Sequence, residues 1–464
     1  MTRPARDLRA AGAWAALATA VLALRLPLLT LPGLGRDEAT YVYWSHHPEP
    51  GYAPLLQLLL ALGRPLPLLV EARWVPLVAG AVVLVLFERW LRRRGLEQRD
   101  RWIAVALVGL CPWQTYAGSI LHPDDVQLAL VLGFVLAARP GHVWWAAVLA
   151  GLAPWAKTSG LLVTAVGAWW VWRSGHPVRG RALIVLVALA TPAVLALDPE
   201  LLRGILSFAR TGPDTGPLAR VGLFVLGTVV LAGPILPVLA VRGGFEIGRR
   251  GVDPGVVLAL AFVAAFGGAA GVTGQVKGNW MLPAILLLWP AGLHWTRPAR
   301  AALAIGSTGL LSAVIVFGFV RVDLTRALEA RWETAPSYLG LAGTRERSVA
   351  SATDWWHRLS EYRSLDALCS ATAAHHDVEV VISDDYGLAA QWATRCPSAV
   401  PRLVLPNDPI FAGADAGIPV GALVIAVRRP PSELLGTRSW EPAGAVTHPI
   451  TGEPVTLARV TGRP

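Results

Sequence analysis

Eleven apolar runs, most of them near the length of a bilayer-spanning helix, follow one another through the first 321 residues. They cover residues 11–31, 68–88, 102–117, 125–138, 143–156, 158–172, 182–197, 221–241, 254–272, 280–296 and 302–321. A helix needs about 20 apolar residues to cross a bilayer, where its backbone must satisfy its own hydrogen bonds. The pattern therefore predicts a polytopic α-helical membrane protein with about eleven transmembrane helices. The runs at 125–138, 143–156 and 158–172 are short. They must extend into flanking polar residues, or two of them form a re-entrant pair. Charge agrees: only 16% of the 464 residues are charged and 54% are hydrophobic, against about 25% charged in a soluble domain.

The basic residues are arranged as membrane topology requires. Residues 1–322 hold 28 Lys and Arg against 15 Asp and Glu, a net +13, whereas residues 323–464 hold 13 against 16, a net −3. With Arg3, Arg6 and Arg9 in the cytoplasm, alternate loops carry Arg89, Arg92, Arg93, Arg94, Arg99 and Arg101, then Arg139, then Arg173, Arg179 and Arg181, then Arg242, Arg249 and Arg250, then Arg297 and Arg300. The opposite face receives Asp37, Glu38, Glu49, Asp124, Asp125, Asp198, Glu200 and Asp214. This positive-inside alternation accounts for the net +10 without nucleic acid. It places residues 322–464 outside, as a small extracytoplasmic α/β domain beside a transmembrane domain of residues 1–321. Within it 378–382, 402–405 and 422–427 read as strands, and 385–395 has helical spacing.

Several charged residues stand where an apolar setting gives them a purpose. Asp37 and Glu38 follow the first run directly. At that depth a carboxylate borders low dielectric, which suits it to act as a base; capping of a helix N-terminus is the plain alternative. Asp124 and Asp125 open another run after Pro123, and one acid would suffice as a cap. Lys157 lies at the junction of two apolar runs, where a charge is costly and a functional role is the default; an interfacial, snorkelling lysine is the alternative. It and Lys277 are the only lysines in the chain. Lys277 sits in a Gly-rich turn that also holds Asn279 and Trp280. Arg25 and Arg73 occur near outer ends of runs, against the positive-inside rule, and so call for anionic partners: Asp37, Glu38 or a lipid phosphate. His46, His47 and His122 lack the helical spacing of a metal site.

Taken in order, short motifs resemble the family 39 glycosyltransferases, which include protein O-mannosyltransferases and aminoarabinose transferases of the GT-C fold. Asp37-Glu38-Ala39 with Tyr41 resembles the family's first-loop signature. Gly51-Tyr52 leading to Pro54-Leu55 is similar to its Gly-Tyr…Pro-Pro-Leu segment, although the family's His-Pro-Pro is here Gly51-Tyr52-Ala53-Pro54, without the His and one Pro. Arg73-Trp74-Val75-Pro76, Pro123-Asp124, Lys157-Thr158-Ser159, Asn279-Trp280 with Pro283-Ala284, and Asp385-Tyr386-Gly387-Leu388-Ala389 each resemble later family segments.

The resemblance implies inverting transfer of a sugar from a polyprenyl-phosphate donor to a lipid, protein or glycan acceptor outside the membrane. Asp37 would be the general base. Lys157, with Arg36 or Arg73, would steady the departing phosphate. Asp124 would orient acceptor or sugar, or help hold a divalent cation; no other cofactor is implied. Glu38, Tyr41, Asp125, Lys277, Asn279 and Trp280 would line the substrate site. From a different class, an ion-coupled transporter or flippase would also line an outer cavity with acids and lysine, though it would place some mid-span and show repeated halves. Of the three cysteines, Cys369 and Cys396 fall in the outer segment, where a disulfide would persist, and Cys111 is expected to stay reduced.

Overall fold

The computed structural model of the chain describes residues 3–31, 34–46, 54–195, 217–233, 235–247, 253–273, 278–288 and 298–320. In the C-terminal part it describes 380–383, 390–392, 394, 402–404, 420–426, 431, 435, 439–447 and 454–462. Cys369, Cys396, Lys277 and most of 385–395 lie outside the described residues, as does the side chain of Arg36.

Helices dominate. They are α1 Arg3–Leu29, α2 Arg36–His46, α3 Pro54–Gly63, α4 Leu68–Arg93, α5 Gln98–Gly109, α6 Pro112–Ala117, α7 Pro123–Ala137, α8 Val143–Ala156, α9 Gly160–Arg173 and α10 Arg179–Leu195. Beyond them come α11 Pro217–Ala232, α12 Ile235–Ile247, α13 Pro254–Phe262, α14 Gly268–Thr273, a 3₁₀ turn Gly278–Met281, α15 Leu282–Leu288 and α16 Pro298–Val320. A π-helical turn, Val263–Gly267, joins α13 to α14.

By length and composition, three described helices can cross a membrane alone: Gly12–Leu29, Leu68–Arg93 and Pro298–Phe317. The other apolar runs fold as shorter or broken helices. Residues 221–241, expected as one span, form Phe224–Ala232 and Ile235–Val241 with a 111° bend between them. Gly233 makes that break, with φ of 78°, a left-handed conformation that glycine adopts without strain. Residues 102–117 are likewise split. Cys111 caps α6, accepting the Gln114 backbone N–H with Pro112 in the first turn, so proline ends one helix and starts the next. Many large apolar side chains face outward, among them Ile184, Leu303 and Leu310. A water-soluble surface does not spare contiguous faces of this kind.

The short runs at 143–156 and 158–172 become α8 and α9, an antiparallel hairpin turned at residues 157–159. Thr164 Oγ1 donates to the Ala150 carbonyl across it at 2.7 Å. The turn needs glycine: a Cβ on Gly160 would stand 2.1 Å from the Ala153 carbonyl oxygen.

Helices α4 and α7 lie side by side and run in the same direction. A Cβ on Gly80 would be 3.0 Å from Asp125 at the start of α7, and Arg93 donates to the Leu136 carbonyl at its end. One end of the pair therefore carries Glu71, Arg73 and Asp124. The other carries Arg89, Arg93 and Arg139.

The C-terminal strands are β1 Val380–Ser383, β2 Arg402–Val404, β3 Leu423–Ala426, β4 Trp440–Thr447 and β5 Pro454–Val460, in the order β2-β1-β3-β5-β4. β1 pairs parallel with β2 and β3, and β5 pairs antiparallel with β3 and β4. The first three match the runs expected from sequence; β4 and β5 were not anticipated. One face of the sheet, through Leu423, Ile425, Val455 and Leu457, shares an apolar cluster with Leu34, Tyr43, Trp44, Leu56 and Leu60 of the α2–α3 region. Gln391 Nε2 donates to the Leu34 carbonyl at 3.0 Å. The sheet is thus fastened to the segment that carries Asp37.

Candidate functional site

Three segments distant in sequence meet at Asp124. The residue stands in the first turn of α7, opened by Pro123 and by His122, whose Nδ1 accepts the Asp124 backbone N–H at 3.4 Å. Its Oδ1 accepts from Lys157 Nζ at 2.5 Å and lies 3.3 Å from His122 Nδ1. Its Oδ2 accepts from Asn279 Nδ2 at 2.6 Å. Lys157 is delivered by the α8–α9 turn, where it ends α8 in an extended conformation. Asn279 comes from the 3₁₀ turn, and Trp280 beside it places its ring 5.5 Å from Lys157 Nζ. Asp124, Lys157 and Asn279 are all buried. A buried ion pair at this spacing persists only when further hydrogen bonds and cation–π contact complete it. Nearby, Gln127 Nε2 donates to Ser159 Oγ at 2.7 Å, tying the first turn of α7 to the hairpin turn.

Glu38 is joined to this cluster through the backbone. Its Oε1 accepts the Leu121 N–H at 3.1 Å, three residues before Asp124, and its Oε2 accepts the Gly35 N–H at 3.0 Å. Arg73 Nε lies 3.5 Å from Glu38 Oε1, and Arg73 Nη1 donates to the Leu29 and Leu31 carbonyls. One ion pair thereby ties the end of α1, the start of α2, α4 and the turn before α7. Asp37, next to Glu38 in the first turn of α2, is half-buried rather than enclosed. Tyr41 is buried edge-on against Trp44, their ring centroids 5.7 Å apart.

Asp125 goes the other way. It is fully buried, with Oδ2 accepting from Gln114 Nε2 at 2.9 Å. Its counter-charge is Arg25, which also donates to the Gln114 carbonyl at 3.0 Å. Sequence offered Arg25 three anionic partners, and Asp125 was not among them. The guanidinium lies against Gly118, where a Cβ would be 2.4 Å from Arg25 Cζ. The adjacent acids thus serve different clusters.

Sequence reasoning missed one further group. Glu71, buried in α4, receives Ser45 Oγ at 3.3 Å and lies 3.0 Å from His46 Nε2. An acid in the first turn of an apolar helix was the available signal. Among the described residues no three His, Cys, Asp or Glu side chains converge as a metal site. The donor set around Asp124 does not fit a cation either: its oxygens already receive an ammonium and an amide. Cys111 is buried and free.

The helical frame, the broken helices and the appended sheet make up a fold that solved structures share. The chain is similar to the crystal structure of ArnT from Cupriavidus metallidurans in the apo state, at a TM-score of 0.58 and 14% identity over 98% of this chain and 100% of that one. It is equally similar to the same protein bound to undecaprenyl phosphate, at 0.57 and 16% over 97% and 99%. No family model and no curated protein matches the sequence.

Proposed function

We propose that the chain is an integral-membrane glycosyltransferase that moves a sugar from a polyprenyl-phosphate donor to an acceptor at the outer face. The observation that carries this reading is the convergence of Asp124, Lys157, Asn279 and Trp280. Their segments are separated by as many as 155 residues, yet they assemble one buried cation at the end of the molecule that bears Asp37. The structural likeness to ArnT, one form of which holds undecaprenyl phosphate, supports the same donor class.

Lys157 is the phosphate ligand. Asp124 and Trp280 hold its ammonium in place, and its remaining donor capacity meets the donor's phosphate as a compact point charge. Both oxygens of Asp124 are occupied, so it positions Lys157 and Asn279 and takes no proton. Asp37, half-buried in the first turn of α2, accepts the proton of the acceptor hydroxyl or amine. The freed lone pair attacks the anomeric carbon, the bond from that carbon to the phosphate oxygen breaks with inversion, and polyprenyl phosphate leaves beside Lys157. Glu38 and Arg73 set the position of α2 and so of Asp37. Arg36, Tyr41 and Lys277 border the same region in sequence and belong to the substrate surroundings. Asp125 supports the fold beneath the site.

Transfer to acceptor by purified Asp37→Asn protein tests the base assignment. General-base catalysis contributes about 10²–10⁴-fold, and asparagine keeps the shape without the charge. Loss of that size with intact folding is expected. Activity within about threefold of wild type removes Asp37 as the base and leaves it a helix cap.

A further inference from the structure

The flank of the molecule between α4, α7 and α8 holds a groove of about 700 Å³. Its walls are apolar over most of their length, with Val75, Val78 and Val82 on one side and Val126, Ala129 and Gly133 on the other. From Val75 to Arg93 the wall measures about 27 Å, at a rise of about 1.5 Å per residue. That nearly matches the hydrocarbon thickness of a bilayer, about 30 Å. The groove closes on a basic mouth of Arg89, Arg93, Arg139 and His142, with Trp145 exposed beside it. This mouth is at the end of α7 remote from Asp124.

The mouth is not neutralised by the protein. Arg93 is repelled by Arg89, Arg92 and Arg139. The nearby acids are committed elsewhere: Glu88 pairs with Arg101 at 3.0 Å, and Asp253 pairs with Arg94. Among the described residues no carboxylate pairs with Arg89, Arg93 or Arg139. An apolar channel that ends on clustered, uncompensated cations, with a tryptophan at interface depth, is complementary to one kind of molecule. We infer that this groove is a binding site for an anionic glycerophospholipid, with its acyl chain along α4 and α7 and its phosphate at Arg89 and Arg139. The site is separate from the Asp124 cluster and takes a lipid that is not consumed.

Native mass spectrometry of the full chain, released from micelles with equal phosphatidylglycerol and phosphatidylcholine of identical acyl chains, tests the site. Wild type is expected to retain phosphatidylglycerol preferentially. Arg89→Ala with Arg139→Ala should lower that retention about fivefold per arginine. Arg89→Lys with Arg139→Lys should keep most of it. Arg173→Ala, an exposed arginine outside the groove, should leave it unchanged. Ala129→Phe, which obstructs the channel without altering charge, should lower retention of both lipids. Thermal unfolding identifies any variant that has failed to fold. Equal retention of the two lipids by wild type overturns the inference. So does a loss in Arg173→Ala as large as in the double variant, which would make the effect general surface charge. Displacement by inorganic phosphate would leave only an anion site. Displacement by equimolar undecaprenyl phosphate would give the groove to the sugar donor.

Discussion

Asp124 and Asp125 are neighbours in sequence, both buried, and belong to two unlike charge clusters. Asp124 meets Lys157, Asn279 and His122 at the start of α7, where three separate segments converge. Asp125 turns into the helical frame and meets Gln114 beside Arg25, with Gly80 and Gly118 making room for the guanidinium. The first cluster is built around a lysine, a compact charge with rotatable donors that can be shared with a ligand. The second is built around an arginine fixed by backbone and glycine contacts, which a ligand could not approach without unpacking α1 from α4 and α6. Burial alone therefore does not mark a site. What marks it is which partner the acid holds and whether that partner has capacity left.

Breaking the second cluster should have the largest effect. Asp125→Ala leaves Arg25 buried without its counter-charge, which costs about 3–5 kcal/mol; thermal unfolding in detergent should show it, and activity should fall only as folded protein is lost. Lys157→Ala leaves Asp124 with Asn279 and His122 as partners, so it should cost less stability than Asp125→Ala and lose donor affinity by about 10–100-fold, the range of a hydrogen bond to a charged group. Titration with undecaprenyl phosphate, the lipid-phosphate part of such a donor, reads that change. Asn279→Ala removes a single bond to Asp124 and should weaken donor binding by about tenfold or less. His122→Ala is expected to be smallest. It removes a helix cap, costs about 1 kcal/mol of stability and leaves donor affinity close to wild type. If Asp125→Ala proves as stable as Asn279→Ala, the division between a packed cluster and a ligand cluster is wrong.

The sequence made part of this legible. The junction position of Lys157 and the short runs around it pointed to a turn between helices, and the structure has one there. The ordered motifs named Asp124, Lys157, Asn279 and Trp280 together. The different fates of Asp124 and Asp125 were not readable. Successive residues of a helix differ by about 100° in direction, but α7 is buried on most sides of its first turns, so polarity gives no sign of which way each acid points. Breaks within spans were hidden for a related reason: apolar runs look continuous across Gly233 and Cys111 because glycine, cysteine and proline do not interrupt hydropathy. Strand β4 was missed because Pro442 and Gly444 interrupt its alternation. It lies at the edge of the sheet and bulges between those two residues, where proline is tolerated.

The most direct test is to locate the phosphate. A cryo-electron microscopy structure of the full chain with undecaprenyl phosphate should place a phosphate oxygen about 2.7–3.2 Å from Lys157 Nζ, at the Trp280 side of the Asp124 cluster. A phosphate bound instead at Arg89 and Arg139, with Lys157 still enclosed by Asp124 alone, would contradict the assignment of the site.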